Sequence, residues 1–206
     1  MSVPCEACLP QRIEMRRSEM QAASSLTEAG KSLRLAHIPT RPGSGAAQMV
    51  KACRGMLKGR ASLLTFWGAG RGLRSAALIA TVNEFLDRGL AALYLPARDL
   101  LTCIQQALHN GVEVSDDSAL DRLERFKQVR VLAIDKLRAA RITDWRLEQI
   151  RSLLDWRWRR GIAGACCTLL AMDEDPGLLE PRLCSRLYDG RNRLRGDPVL
   201  HNSDPE

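Results

Sequence analysis

Apolar positions along the chain follow two periods. Short continuous apolar runs occur at Ser62–Trp67, Leu90–Leu95, Val129–Asp135 and Gly164–Leu170. Runs of that length and continuity suit strands buried on both faces. Between them the spacing becomes helical: Val50, Cys53 and Leu57; Leu78, Val82, Phe85 and Leu86; Leu100, Ile104 and Leu108; Leu120, Leu123 and Phe126; Leu147, Ile150, Leu154 and Trp158. A further helix with Leu179, Leu183 and Leu187 is expected to start at Asp175-Pro176, and a short strand is expected at Pro198–Leu200.

Punctuation agrees with these elements. Gly59 and Gly89 stand where helices stop, while Asp116–Ser118 and Thr143 or Asp144 offer N-caps. Thr27-Glu-Ala-Gly reads as the close of a short helix in a polar lead. Pro39, Pro42, Gly43 and Gly45 then mark a linker. The expected organisation is an extension and linker over 1–45, a core over 46–200 and a disordered tail over 201–206. Strands alternating with helices predict an α/β fold with a parallel sheet covered on both faces. Ligands of such sheets bind beyond the carboxyl ends of the strands. Two places therefore matter: the turn after Trp67 and the strand end at Asp135.

The turn reads Gly68-Ala-Gly-Arg-Gly-Leu-Arg-Ser75. A phosphate loop, G-x-x-x-x-G-K-[ST], joins a strand to a helix whose N–H groups cradle the phosphates. Gly68 and Ser75 fit its ends. Arg74 stands in place of the lysine and Leu73 in place of the second glycine, where a Cβ obstructs close approach. Gly70 and Gly72 restore flexibility if the register shifts by one. A glycine-rich turn of this kind also joins strand to helix without any ligand. Asp135 ends a buried strand, as does the Mg²⁺-binding acid of phosphate-loop ATPases, although an ordinary capping aspartate reads the same. Lys136 follows it.

Taken in order, these segments resemble the DnaC/IstB-type AAA+ ATPases, the bacterial and phage replicative helicase loaders and their transposition relatives. The resemblance runs from about Ser32 to Leu187, roughly three quarters of the chain. It rests on His37-Ile-Pro, Ser62–Ser75, Leu90–Leu101, Val131–Asp135, Thr143–Ile150 and Leu179–Leu187. It implies a three-layer AAA+ core that binds ATP or ADP with Mg²⁺ through Gly68, Gly70, Gly72, Arg74, Ser75 and Asp135. It implies an arginine finger at Arg186, hence oligomers, although Arg186 also reads as a solvated helix residue. It further implies an N-terminal segment that binds the replicative helicase and a core that binds single-stranded DNA. The departures fall on chemistry. Lys136 replaces the usual glutamate that polarises water, and Thr168–Asp173 lacks the family's polar sensor asparagine. The expectation is a loader-like protein of replication initiation with weakened or absent ATP hydrolysis. The alternatives are a non-enzymatic adaptor or inhibitor and a transposition accessory ATPase.

Composition refines this in three ways. Net charge is +7, which suits a nucleic-acid partner or simply an arginine-rich surface. Trp156-Arg-Trp-Arg-Arg160 interleaves aromatics and cations, so Arg157, Arg159 and Arg160 are candidate phosphate contacts, with Trp158 on the apolar face. The seven cysteines come with no apolar leader and no apolar run of about 20 residues. Reduced thiols, a cytoplasmic location and no membrane partner are expected. Cys5 and Cys8 have zinc-ligand spacing but no second pair, so zinc is not expected.

Overall fold

The computed structural model describes residues 9–67, 72–109, 119–137, 143–162, 164–172 and 199–202. Five strands form one parallel sheet: β1 (Leu63–Trp67), β2 (Ala92–Pro96), β3 (Val131–Leu137), β4 (Cys167–Met172) and β5 (Val199–Asn202), in the order β2-β3-β4-β1-β5. The helices are α1 (Leu9–Ala23), α2 (Glu28–Lys31), α3 (Gly45–Leu57), α4 (Leu73–Asp87), α5 (Ala97–His109), α6 (Ala119–Gln128) and α7 (Asp144–Ile162). The expected α/β class with a parallel sheet is present. The helix expected after Asp175 lies outside the described residues.

The period-two alternation of the strands divides the core in two. Leu64, Phe66, Tyr94, Ala133 and Leu169 pack with α3 and α4. Leu63, Leu93, Leu132, Ile134 and Leu170 pack with α5, α6 and α7. The sheet is thus the middle of three layers, and its continuous apolar runs reflect burial from both sides. The chain moves from β1 out to β2 through α4 on one face. It returns through β3 and β4 with α5, α6 and α7 on the other. That reversal of direction with change of face is what right-handed crossovers require.

Three boundaries differ from the sequence reading. First, the segment before Ala46 is packed on the core rather than leading up to it. The Asn83 side-chain amide donates to the Gly30 and Leu33 carbonyls at 2.8 and 2.9 Å. Glu84 accepts from the Leu35 N–H, and Arg34 forks onto Asp87. Leu35 and Ile38 are buried in the α3–α4 layer. The segment also closes the outer edge of the sheet, because the Ser25 N–H donates to the Tyr94 carbonyl and Ser24 Oγ accepts from the Tyr94 N–H. An uncovered edge strand would offer those groups to another chain. Second, Thr27 opens a helix instead of closing one: its hydroxyl accepts from the Gly30 N–H as the N-cap of α2. Third, β5 continues through His201 and Asn202, two residues into the stretch read as tail.

Candidate nucleotide site

β1 and β3 point the same way, and the start of α4 lies just past the end of β1. The N-terminus of α4 and the end of β3 therefore meet at the carboxyl edge of the sheet. One strand, β4, lies between β1 and β3, so their axes are about 10 Å apart at ordinary strand spacing. Asp135 follows Val131 and Ala133 in the alternation, which sends its side chain to the α4 face. Gly72, Arg74, Ser75 and Asp135 share this edge.

The start of α4 is an open helix terminus. Gly72 occupies the cap position with φ +95°, ψ −45° and offers no capping side chain. That backbone conformation is what glycine supplies. Gly72 thus carries the left-handed turn expected of the residue after it. Leu73 is the first residue of α4, and its side chain packs partly buried on the α3–α4 layer. The N–H groups of a first helical turn have no intrahelical acceptor, and with the positive end of the helix dipole they suit an anion here. Arg74 sits in the same turn with its side chain only 4% exposed, and Ser75 follows, half-buried. Gly68 and Gly70 lie outside the described residues, as does Arg186.

Asp135 is 1% exposed. Its Oδ2 accepts from the Tyr94 hydroxyl at 2.5 Å and its Oδ1 from the Lys136 N–H at 2.8 Å. Tyr94 reaches it diagonally, being paired with Ala133 while Pro96 pairs with Asp135. Burial first, then the Asp135 hydrogen bond and charge, push the Tyr94 phenol above its ordinary range, so it remains a donor at neutral pH. Tyr94 was not singled out in the sequence. Its signal is a polar-tipped aromatic in an otherwise aliphatic buried strand. Lys136 is exposed with φ +58°, at a register shift of β3 against β4. The bulge turns its side chain to solvent beside the carboxylate. Among the described residues, the first turn of α4 suits an anionic group such as a phosphate. The residues fit the metal less well: Ser75 and Asp135 are its donors, and both Asp135 oxygens already accept from the protein.

The expected phosphate contacts on α7 do not join this edge. Arg157 is 1% exposed. Its Nη1 donates to the carbonyls of Phe126, Lys127 and Val129 at 2.9, 3.1 and 2.9 Å, its Nη2 to Cys167 at 2.5 Å and its Nε to Thr168 Oγ1 at 3.0 Å. It closes the C-terminus of α6 and ties it to β4, so it cannot reach nucleic acid. Arg159 is exposed and bonded to Asp155, and Arg160 lies over the Trp156 ring at 4.7 Å. Both sit at the C-terminus of α7, which feeds the start of β4. They occupy the opposite end of the sheet from α4's first turn. Trp158 packs against the α5–α7 layer as expected. Cys53, Cys103, Cys166 and Cys167 are buried free thiols; Cys5 and Cys8 lie outside the described residues. Among the described residues no helix is long and apolar enough to cross a membrane.

Solved structures match this architecture along most of the chain. A DnaC helicase loader aligns with 85% of this chain and 99% of its own, at TM-score 0.61 and 15% identity. DnaI aligns with 86% and 95%, at 0.62 and 16%. A replication initiator DnaA bound to AMPPCP and single-stranded DNA aligns with 89% and 52%, at 0.69 and 16%. The chain has the AAA+ fold. The chain spans about half the length of the DnaA structure and of a DNA replication initiation factor, of which it covers 50%. No protein-family model and no curated protein matches the sequence. At these identities the likeness is one of fold, and the activity of this chain has to be argued from its own residues.

Proposed function

We propose that the protein is a helicase-loader-like component of replication initiation, whose AAA+ core binds nucleotide phosphates at the start of α4 and hydrolyses ATP slowly or not at all. The observation behind this is the asymmetry of the site. The start of α4 keeps its binding half, with Gly72 at positive φ in the cap position and Arg74 in the first turn. The hydrolytic half is altered, because Lys136 stands where an acid would polarise water and Tyr94 occupies Asp135. A base must accept a proton from the attacking water, and an ammonium has no lone pair with which to accept one. The fold shared with DnaC and DnaI supports a replicative helicase as the partner, engaged by the N-terminal segment, with Arg186 contributing to a neighbour's site in an oligomer.

Calorimetric titration with ATP tests binding, and phosphate release tests turnover. Binding without turnover is expected; brisk hydrolysis abolished by Asp135→Ala would refute it. Co-purification with the replicative helicase, with and without ATP, tests the partner. The hydrogen bond that occupies Asp135 also favours a second reading, a non-enzymatic adaptor or inhibitor on the same partner. Association indifferent to ATP, together with no ATP binding at millimolar concentration, selects that reading.

A further inference from the structure

The end of α3 builds a basic groove. Gly59 adopts φ +74°, its N–H donates to the Met56 carbonyl, and the Arg60 N–H donates to the Gly55 carbonyl. This pair of bonds reverses the chain and folds Arg60 back over the last turn. Lys51, Arg54 and Lys58 follow one another at spacings of three and four on that helix, hence along one face. With Thr40, Gly55 and Arg60 they line a cavity of about 300 Å³. All four cations are exposed, and none forms an ion pair among the described residues.

Two features of the groove oppose stability. Like charges three and four residues apart repel by a few tenths of a kcal/mol. The helix dipole offsets this for Arg54 and Lys58 in the last turn, but not for Lys51 or Arg60. Gly55 inside a helix costs about 0.5–1 kcal/mol relative to alanine. A Cβ there would meet only the Arg60 Cβ, at 4.0 Å, so packing does not demand glycine. A bare floor between cations does serve a bound ligand.

We propose that this groove binds the phosphodiester backbone of single-stranded nucleic acid. Lys51 to Lys58 spans about 10 Å along the helix, which suits a row of phosphates better than one compact anion. A flexible strand can follow a concave floor that a rigid duplex only bridges. The groove stands apart from the nucleotide cradle, because α3 ends at the amino edge of the sheet. The C-terminus of α7 brings Arg159 and Arg160 to the same edge on the opposite face. The inference rests on the reading that the protein meets single-stranded DNA.

The test is fluorescence anisotropy of a labelled oligothymidylate over a salt series, with wild type, K51Q/R54Q/K58Q, R159Q/R160Q and Gly55→Ala. Each single-strand phosphate contact contributes about 0.7 to the salt slope. The triple variant should therefore lose about 2 from the slope and at least tenfold in affinity at low salt, with its thermal melt retained. Gly55→Ala should weaken binding without lowering the melt. Unchanged affinity and slope in the triple variant overturn the groove, and a loss confined to R159Q/R160Q does so while leaving DNA binding itself intact. Tighter binding of the matching duplex overturns the single-strand assignment. No binding by wild type overturns both this site and the expectation that the core binds single-stranded DNA.

Discussion

Arg157→Met removes one guanidinium and leaves five acceptors without their donor. The carbonyls of Phe126 and Lys127 belong to the end of α6 and can turn partly to water. Those of Val129 and Cys167 lie beside and within the sheet and cannot. A buried acceptor stripped of a charged donor costs about 1.5–3 kcal/mol, so these two alone give about 3–6. The methionine side chain returns about 1.5–3 kcal/mol of apolar burial. The net expectation is a loss of about 1.5–3 kcal/mol, a large share of the 5–15 kcal/mol that folds an ordinary domain. For a chain of this size that lowers the melting temperature by about 3–12 °C.

Urea unfolding followed by circular dichroism measures the loss directly. Burial lowers the Arg157 pKa to about 10, so the charge persists at neutral pH and the experiment is run there. Arg157→Lys should recover part of the loss, because an ammonium keeps the charge but has three donors on a single atom. A methionine variant within 1 kcal/mol of wild type would refute this reasoning. Unchanged stability with weakened DNA binding would do so more sharply, since it would return Arg157 to the surface role suggested by the Trp-Arg-Trp-Arg-Arg sequence.

Cys53 is fully buried, and burial raises its thiol from 9.0 to about 12. The folded thiol holds its proton longer than the unfolded one, so stability is complete below about pH 9 and falls by up to about 1.4 kcal/mol per pH unit from there towards 12; Cys53→Ala should flatten that limb of a denaturation-versus-pH series. Lys136 holds a left-handed backbone conformation that costs a residue with a Cβ about 1–2 kcal/mol. Lys136→Gly should therefore raise stability by about 0.5–1 kcal/mol after the entropy of the unfolded chain is counted, read as a higher melting temperature. Tyr94→Phe deletes the donor to Asp135 and should cost about 1.5–3 kcal/mol in urea unfolding at neutral pH; an unaltered midpoint would show that the carboxylate is held by other groups.

The sheet was legible because burial on both faces writes a signal that is local in sequence. Val131–Asp135 and Leu63–Trp67 are continuous apolar runs, and each became a strand. The place of residues 24–38 was not legible. What fixes them is polar, chiefly Asn83, Glu84 and Asp87, and those side chains lie about fifty residues away on α4. An asparagine on a helix reads as solvent-facing until the carbonyls it serves are known. Arg157 failed for the same reason. In the sequence it is one cation among several, yet in the fold its partners come from α6, β4 and the turn between α6 and β3.

Leu73 and Lys136 depart from the nucleotide-site pattern in different ways, and the fold treats them differently. Leu73 is a steric departure: in the fold Gly72 takes the positive-φ turn and Leu73 is the first residue of α4, its side chain partly buried against the α3–α4 layer. Backbone shape is a shared property of a segment, so one residue can assume the conformation another gives up. Lys136 is a chemical departure. Accepting a proton from water requires a particular atom at a particular place, and no adjacent residue moves into that role when the strand bulges. Holding a phosphate depends on the orientation of N–H groups, which any sequence adopting the turn provides. Nucleotide binding without turnover, as proposed for this site, rests on that line between what the backbone supplies and what a side chain must.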